Sequence, residues 1–188
     1  MSEYKKYIRC HIVEATPMTR GEHLKSKGLA LIPGSGSESD EGYFIQYPDG
    51  YKSWCPKAQF EKQGFPLEDG TKITEGDIRN FKLLGYQEFA THTAPNDKPF
   101  TMIQMVYPTG FTDFATSACV DSKNYSEEIG LDICTKKIND RLWGFLGFML
   151  QWAKDGLRDV GMEIAKRHDE EAGKALTTPK ERQAKNGN

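Results

Sequence analysis

The sequence lacks most of the features from which a function can be read directly. It has no run of about 18 apolar residues, so we expect no membrane-spanning helix. Its four cysteines form no Cys-x-x-Cys pair and its four histidines have no ligand-like spacing, so we expect reduced thiols and no metal site. With 25 lysines and arginines against 27 aspartates and glutamates, it has no basic excess for binding a nucleic-acid polymer.

Enzyme signatures are also missing. The sequence contains no nucleophile elbow, no P-loop, no dinucleotide fingerprint after a strand and no HExxH motif. Adjacent carboxylates such as Asp40/Glu41 and Glu127/Glu128 cannot face each other as an acid/base couple without help from the fold. We therefore predict that the protein is not an enzyme and has no catalytic residues and no cofactor.

The size and composition allow one ordinary domain or two small ones. The chain has 188 residues, of which 37% are hydrophobic, and its mean hydropathy is -0.65. This lean apolar content is typical of disordered segments, an extended shape or an oligomer that shares its core. The first ten residues carry charges where a signal peptide needs an apolar region, so we expect the protein to stay in the cytosol of its producing cell.

Residues 1–65 are predicted to form a small β-rich accessory module. The alternation of Ile8, Cys10 and Ile12 predicts a strand over Tyr4–Val13. Aromatic-rich segments on both sides of Pro48-Asp49-Gly50 predict a β-hairpin. A short helix is predicted before this hairpin, with Thr19 and Glu22 as a capping box and Gly28 at its end, and another after it, over 57–63. Between the first helix and the hairpin, residues 33–42 are predicted to be a mobile loop.

Residues 66–168 are predicted to form a second module. Thr74 as N-cap and Asp77 at N3 predict a helix that continues to about residue 84. Residues 91–99 are predicted to be a loop, and alternating segments over 100–107 and 111–120 predict a second hairpin. Ser126, followed by two glutamates, predicts the start of a long helix.

The apolar residues of this long helix almost surround it near Trp143–Trp152. Such a surface indicates either a partner helix from another protomer or a single buried core helix. The sequence therefore predicts an α+β fold with two small antiparallel β-hairpin modules, short helices and a long C-terminal helix, forming an oligomer built on that helix. Residues 169–188 are predicted to be a flexible polar tail.

A ligand-binding site is predicted where the second hairpin meets the long helix. Phe114 and Thr116 share one face of a strand, and Phe114 can stack on a base. Asn124 can hydrogen-bond the polar groups of a ring or ribose, and Arg141 on the long helix can clamp a phosphate. The alternative for Arg141 is a surface or interface ion pair.

The segment Gly110–Gly130, GFTDFATSACVDSKNYSEEIG, resembles a family of small tailed-phage proteins whose signature runs GFT…SACV…N[FY]…E.IG. The pairs Leu142-Trp143 and Gly147-Phe148, and the segment ITEGDI at 73–78, agree with the same family. The resemblance covers roughly residues 70–152. This family looks like the one that contains the first type of Thoeris anti-defence proteins.

The resemblance implies a sponge that binds and sequesters cyclic ADP-ribose-type signals made by bacterial TIR enzymes without cleaving them. It also implies possible uptake of the cyclic oligonucleotides of CBASS systems, and dimers or hexamers with the pocket between protomers. By order and spacing, the family's ligand-binding residues correspond to Phe114, Asn124 and Arg141. Phe145 stands where the family has a second arginine, so Lys136 or Lys137 is a candidate for an alternative clamp.

The resulting hypothesis is a phage immune-evasion protein that acts in the cytoplasm of the infected bacterium. Its ligand-binding residues are Phe114, Thr116, Asn124, Lys137 and Arg141, and its partners are a cyclic nucleotide and further copies of itself, with no membrane. An alternative is a protein-binding inhibitor or host-takeover adaptor that docks through its exposed aromatic residues or its amphipathic helix. A third possibility is an enzyme that hydrolyses the signal, for which no acid/base pair or metal site is visible.

Overall fold

The computed structural model describes residues 4–176 and divides the chain into two compact units, Met1–Lys154 and Asp155–Asn188. A short 3₁₀ helix covers Ser122–Asn124. The other elements are, in chain order, β1 (Glu14–Pro17), α1 (Arg20–Ser26), β2 (Gly42–Gln46), β3 (Lys52–Pro56), α2 (Lys57–Gln63), α3 (Glu75–Leu83), β4 (Tyr86–Thr93), β5 (Pro99–Val106), β6 (Thr112–Ala118), α4 (Glu127–Asp155) and α5 (Val160–Leu176).

The α+β fold class is confirmed, and each predicted hairpin is part of a three-stranded antiparallel sheet. Sheet A has the strand order β1-β2-β3 and sheet B has the order β4-β5-β6. The sequence predicted the β2–β3 and β5–β6 hairpins but neither β1 nor β4. Each missed strand lies at an edge of its sheet.

The predicted strand over Tyr4–Val13 is wrong. The described residues 4–13 have no regular secondary structure, and the first strand is Glu14–Pro17, which pairs with β2. Alternation produces a strand only where a neighbouring strand accepts its hydrogen bonds and a core accepts its apolar face. Ile8 has no such core and is 80% exposed. Pro17 lies at the end of an edge strand, where its missing N–H costs least.

The predicted loop over residues 91–99 is also partly wrong, because β4 continues to Thr93 and β5 begins at Pro99. The connection between them is therefore only five residues long, 94–98. Ala94 donates its backbone N–H to the carbonyl of Lys98 at 2.8 Å and closes the hairpin. The loop is shorter than the sequence predicts because the residues at both of its ends pair with each other as part of β4 and β5.

The predicted helix starts are confirmed in atomic detail. Thr19 and Glu22 form a reciprocal capping box on α1, and Thr74 and Asp77 form another on α3. Gly28, just beyond the C-cap of α1, has a φ of 66°, which a residue without a Cβ adopts at no steric cost.

A hydrophobic core lies between sheet B and the helices α3 and α4. Helix α4 contributes residues spaced four apart, which fall on one stripe of the helix: Gly130, Cys134, Ile138, Leu142 and Leu146. Ile103 and Met105 of β5 are fully buried beneath this stripe. Elsewhere α4 exposes large apolar side chains, among them Phe148, which is 66% exposed.

The predicted division into residues 1–65, 66–168 and 169–188 stays a prediction. Of the predicted tail, residues 169–176 are part of α5, and residues 177–188 lie outside the described residues. Among the helices that the structure describes, none is long and apolar enough to cross a membrane.

Candidate functional site

Four of the five predicted site residues meet at the edge of β6 that is not paired with another strand. Lys137 donates its Nζ to the carbonyl oxygen of Thr116 at 2.7 Å, and Arg141 donates Nη2 to the carbonyl oxygen of Phe114 at 2.8 Å. Two strand residues span about 6.6 Å and four helix residues about 6 Å, so the two spacings match. Helix α4 therefore runs antiparallel to β6 and covers its outward-facing carbonyl groups.

Arg141 is anchored a second time, to a carboxylate that the sequence analysis did not include in the site. Its Nε donates to Oδ2 of Asp113 at 2.8 Å, and the side chain of Asp113 is only 13% exposed. The hydroxyl of Tyr107 donates to the same oxygen at 3.2 Å. The guanidinium is thereby held in one plane by a carboxylate and a backbone carbonyl.

Tyr107 remains a hydrogen-bond donor over the whole physiological pH range. Burial, together with the negative charge and the hydrogen bond of Asp113, raises the pKa of Tyr107 to about 12. Its neutral hydroxyl therefore supports the Asp113 carboxylate, which in turn orients Arg141.

The side chains of Phe114 and Thr116 lie on the face of sheet B opposite the core. Ala115 between them is buried, whereas Phe114 is 51% exposed. Phe114 lies opposite Gln104 and Thr116 lies opposite Met102 in the ladder with β5. This face offers an aromatic surface and a hydroxyl, on the strand whose edge anchors the guanidinium of Arg141.

Asn124 lies apart from this group, in the 3₁₀ helix that connects β6 to α4. It is exposed, and its backbone N–H donates to the carbonyl of Asp121 at 3.0 Å. Within the described residues, Asn124 makes no hydrogen bond or ion pair with the other four predicted site residues. The fold of one protomer thus gathers Phe114, Thr116, Lys137 and Arg141.

Phe145, which stands where the resembled family has a second arginine, has a packing role. Its ring makes edge-to-face contacts with Tyr107 at 6.1 Å and with Phe111 at 5.9 Å between centroids. These contacts pack Phe145 against the two aromatic residues that flank the turn of the β5–β6 hairpin.

Sequence reasoning missed Asp113 and Tyr107 as members of this site. A signal for Asp113 was present, because an acidic residue next to Phe114 on an edge strand is available to a cation of the packed helix. Tyr107 offered no such signal, since its contact with Asp113 depends on how the β5–β6 hairpin closes.

A separate open cavity of about 540 Å³ lies beside β3 and α2. Four of its charged lining residues form pairs: Lys57 with Glu41 at 2.8 Å, and Arg20 with Asp40 at 3.9 Å. The fifth, Glu61, accepts a hydrogen bond from the hydroxyl of Tyr43 at 2.9 Å, so the size of the cavity alone indicates no ligand. Among the described side chains, no group of three histidine, cysteine, aspartate or glutamate residues could hold a metal ion.

Comparison with known proteins gives a family match over the segment that carries this site. No curated protein and no solved structure matches the chain. Residues 72–153, a little under half of the chain, match the family described as phage protein (N4 Gp49/phage Sf6 gene 66). The matched segment contains α3, sheet B and nearly all of α4. The match supports a bacteriophage protein family for this chain, as the signature in residues 110–130 predicted.

Proposed function

We propose that the protein binds and sequesters a cyclic nucleotide immune second messenger without cleaving it. The ligand class is a cyclic ADP-ribose-type signal, with cyclic oligonucleotides as a second possibility. The observation that carries this proposal is that Phe114, whose ring is exposed, also gives its backbone carbonyl to the doubly anchored guanidinium of Arg141. An aromatic face and a fixed cation are the two groups that a base linked to a phosphate requires.

The donors of Arg141 support a role in binding phosphate. A guanidinium carries five N–H donors, and one on Nε and one on Nη2 are used by Asp113 and by the Phe114 carbonyl. Within the described residues, the remaining donors on Nη1 and Nη2 are available, and 40% of the side chain is exposed. A phosphate approaching from this side would meet a cation whose orientation is already fixed, which lowers the entropy cost of binding.

Lys137 extends the cationic side of the proposed site. It lies one helical turn before Arg141, and its ammonium group uses one of three donors for the Thr116 carbonyl. In the proposed complex, Phe114 stacks on the base, Thr116 donates a hydroxyl, and Lys137 and Arg141 bind phosphate oxygens. Asn124 belongs to the same proposal as a hydrogen-bonding residue for the ribose or base.

A sponge must hold its ligand tightly enough to lower the free signal below the threshold of the effector. Slow release requires that most of the ligand is buried, whereas the ring of Phe114 is 51% exposed in one protomer. The proposal therefore includes a homo-oligomer, in which another protomer completes the pocket walls.

The test is to incubate the purified full-length protein with a panel of TIR-derived and CBASS-derived cyclic nucleotides and to follow thermal unfolding. A ligand at about 1,000 times its Kd adds about 4 kcal/mol to the free energy of unfolding, which is several degrees in Tm. The ligand is then released by heat and identified by mass spectrometry. Intact ligand supports sequestration, a cleaved product indicates an enzyme, and no shift with any nucleotide refutes the proposal.

Variants at the site distinguish this ligand pose from binding elsewhere. We expect Arg141→Lys, which keeps the charge but loses the planar fork, to weaken binding by roughly 30-fold or more. Phe114→Leu should weaken it through loss of stacking, by roughly tenfold. Arg79→Ala, an exposed arginine of α3 outside the site, is the control and should bind normally. Unchanged affinity of Arg141→Lys would remove Arg141 from the proposed site.

A second candidate function, docking on a host protein, is favoured by the apolar surface of α4. Phe148 and Met149 are exposed there, and Trp143 is partly exposed. Exposed aromatic residues are good interface anchors. Capture of a specific host protein that Phe148→Glu abolishes, together with no response to the nucleotide panel, would favour this function.

A further inference from the structure

The two edges of sheet B differ in how they are protected. The edge formed by β6 is covered by α4, because Lys137 and Arg141 take the outward-facing carbonyls of Thr116 and Phe114. At the other edge, β4 is exposed at every position except the half-buried Ala90. Within the part of the chain that the structure describes, no strand pairs with this second edge, and α4 reaches it where Glu127 accepts a hydrogen bond from the hydroxyl of Thr91.

The alternation of hydrogen bonds along β4 identifies the groups at this open edge. Ala94 and Lys98 form a hydrogen-bonded pair at the end of the hairpin. Counted from this pair, every second pair of residues between β4 and β5 is hydrogen-bonded as well. Glu88, Ala90 and His92 therefore direct their backbone groups toward β5. The four remaining odd-numbered residues direct theirs to the free edge: Gln87, Phe89, Thr91 and Thr93.

The β4 edge also lacks the residues that usually prevent further strands from adding to a sheet. Tyr86–Thr93 is eight residues long and contains no proline, no lysine and no arginine. Its one carboxylate is Glu88, and Tyr86 and Phe89 are 61% and 51% exposed. A long, regular edge strand without such residues can pair with a strand of another chain through its unpaired backbone groups.

We propose that β4 is the contact surface for a second copy of this chain, pairing antiparallel with the β4 strand of that copy about a two-fold axis at Ala90. The two copies of sheet B then form one continuous antiparallel sheet. This inference does not depend on the proposed function, and it identifies a surface distinct from the α4 surface that the sequence suggested for oligomerisation.

The register at Ala90 satisfies the backbone and the side chains together. It places Phe89 opposite Thr91 of the second copy and Gln87 opposite Thr93 of the second copy, so the residues that direct groups to the free edge meet each other. It also places Glu88 opposite His92 of the second copy, in a non-hydrogen-bonded pair, where Cα atoms are about 4.5 Å apart and side chains are closest.

The Glu88–His92 pair selects this register over its neighbours. The carboxylate is an acceptor and the imidazole carries an N–H donor, and His92 is held on the sheet face by stacking on Phe100 at 5.4 Å. Moving the axis to Phe89 places Glu88 opposite Ala90 of the second copy. Moving it to Glu88 places two carboxylates opposite each other, which is unfavourable.

The test measures the oligomeric state of the full-length protein by sedimentation velocity over a range of concentrations. Gln87→Pro removes an N–H at the free edge and leaves the ladder to β5 intact, since the amide of Gln87 does not face β5. We expect this variant to raise the dissociation constant roughly tenfold or more, because each dimer loses the bond twice. Gln87→Ala, which keeps the N–H, is the matched control and should associate like the wild type.

A charge exchange tests the register independently of proline and its effect on folding. Glu88→Lys should weaken association, and adding His92→Glu to it should restore association by reversing the pair. Circular dichroism and thermal unfolding verify that each variant is folded. A monomeric wild type, an oligomer that Gln87→Pro leaves unchanged, or a failure of the exchange to restore association overturns the proposal. Loss of association only in Phe148→Glu would instead assign the contact to α4.

Discussion

Gly130 on α4 provides the most direct test of how closely this helix packs on sheet B. A Cβ added at Gly130 would lie 2.2 Å from Oγ1 and 2.9 Å from Cβ of Thr101, which is fully buried in β5. Replacing Gly130 with alanine therefore forces α4 and β5 apart. Overpacking of this kind costs about 1–3 kcal/mol, against a gain of about 1 kcal/mol from the higher helix propensity of alanine.

We expect Gly130→Ala to lower the free energy of unfolding by up to about 2 kcal/mol, which is up to roughly 8 °C in Tm for a chain of this size. Gly144 on the same helix is the matched control, since a Cβ there meets no atom within 4 Å. Gly144→Ala should therefore stabilise the protein by about 0.5–1 kcal/mol. The assay is urea unfolding followed by circular dichroism.

The two substitutions are chemically identical and should have opposite signs. If Gly130→Ala stabilises the protein as much as Gly144→Ala does, the close approach of α4 to Thr101 is refuted. Thr101→Ala in the Gly130→Ala background should recover part of the loss by removing Oγ1. A double-mutant cycle measures that recovery as a coupling energy.

Three further predictions concern the core and its ionisable groups. Burial opposes ionisation of Asp77, but hydrogen bonds from the backbone of Glu68 and from Thr74 outweigh it and hold the pKa of Asp77 below its usual value. Because the folded-state pKa is depressed, the resulting stability is present above about pH 4 and is lost as the pH falls; Asp77→Asn should be less stable than the wild type at pH 7, with the gap closing in acid unfolding curves. Ile138→Ala should cost about 2–5 kcal/mol in urea unfolding, because Ile138 is fully buried, whereas Ile133→Ala at an exposed position should cost under about 1 kcal/mol. The pKa of Tyr107, raised to about 12, implies that stability from its neutral form is present below about pH 10 and is lost as the pH rises toward 12; Tyr107→Phe should flatten this alkaline loss, and a spectrophotometric titration that finds Tyr107 ionising near pH 10 would contradict it.

The starts of α1, α3 and α4 and the two hairpin turns were predictable because their causes lie within a few residues, whereas α5 was not predicted. The capping boxes at Thr19 and Thr74 need only a partner three residues later. The hairpin turns at Pro48-Asp49-Gly50 and Pro108-Thr109-Gly110 each end in a glycine with positive φ, as the sequence indicated. Because all the residues that form such a cap or turn are neighbours in the chain, the sequence alone predicts it.

The edge strands β1 and β4 were not predictable in the same way. The alternation in Tyr4–Val13 is more regular than anything in Glu14–Pro17, and yet β1 is the latter segment. A strand is stabilised by the strand beside it, and for β1 that strand lies some 30 residues away. For β4 it is β5, which follows the short connection 94–98 that the sequence analysis took as part of a longer loop. Side-chain alternation does not contain this information.

The candidate site was also predicted only in part from the sequence. The sequence singled out Phe114, Thr116, Asn124, Lys137 and Arg141, and the phage protein family that it predicted is supported over residues 72–153. Only the tertiary structure brought Arg141 to Asp113 and to the Phe114 carbonyl, because that contact depends on the alignment of α4 along the edge of β6.

By itself, the sequence determined the α+β class, the long helix, both hairpins and the similarity of residues 72–153 to a phage protein family. The tertiary structure decided which strands complete each sheet, that one edge of sheet B is covered and the other open, and how Arg141 is oriented. The physical reason is range: caps and turns are satisfied by groups within four residues, whereas sheet edges and anchored cations depend on packing between distant segments.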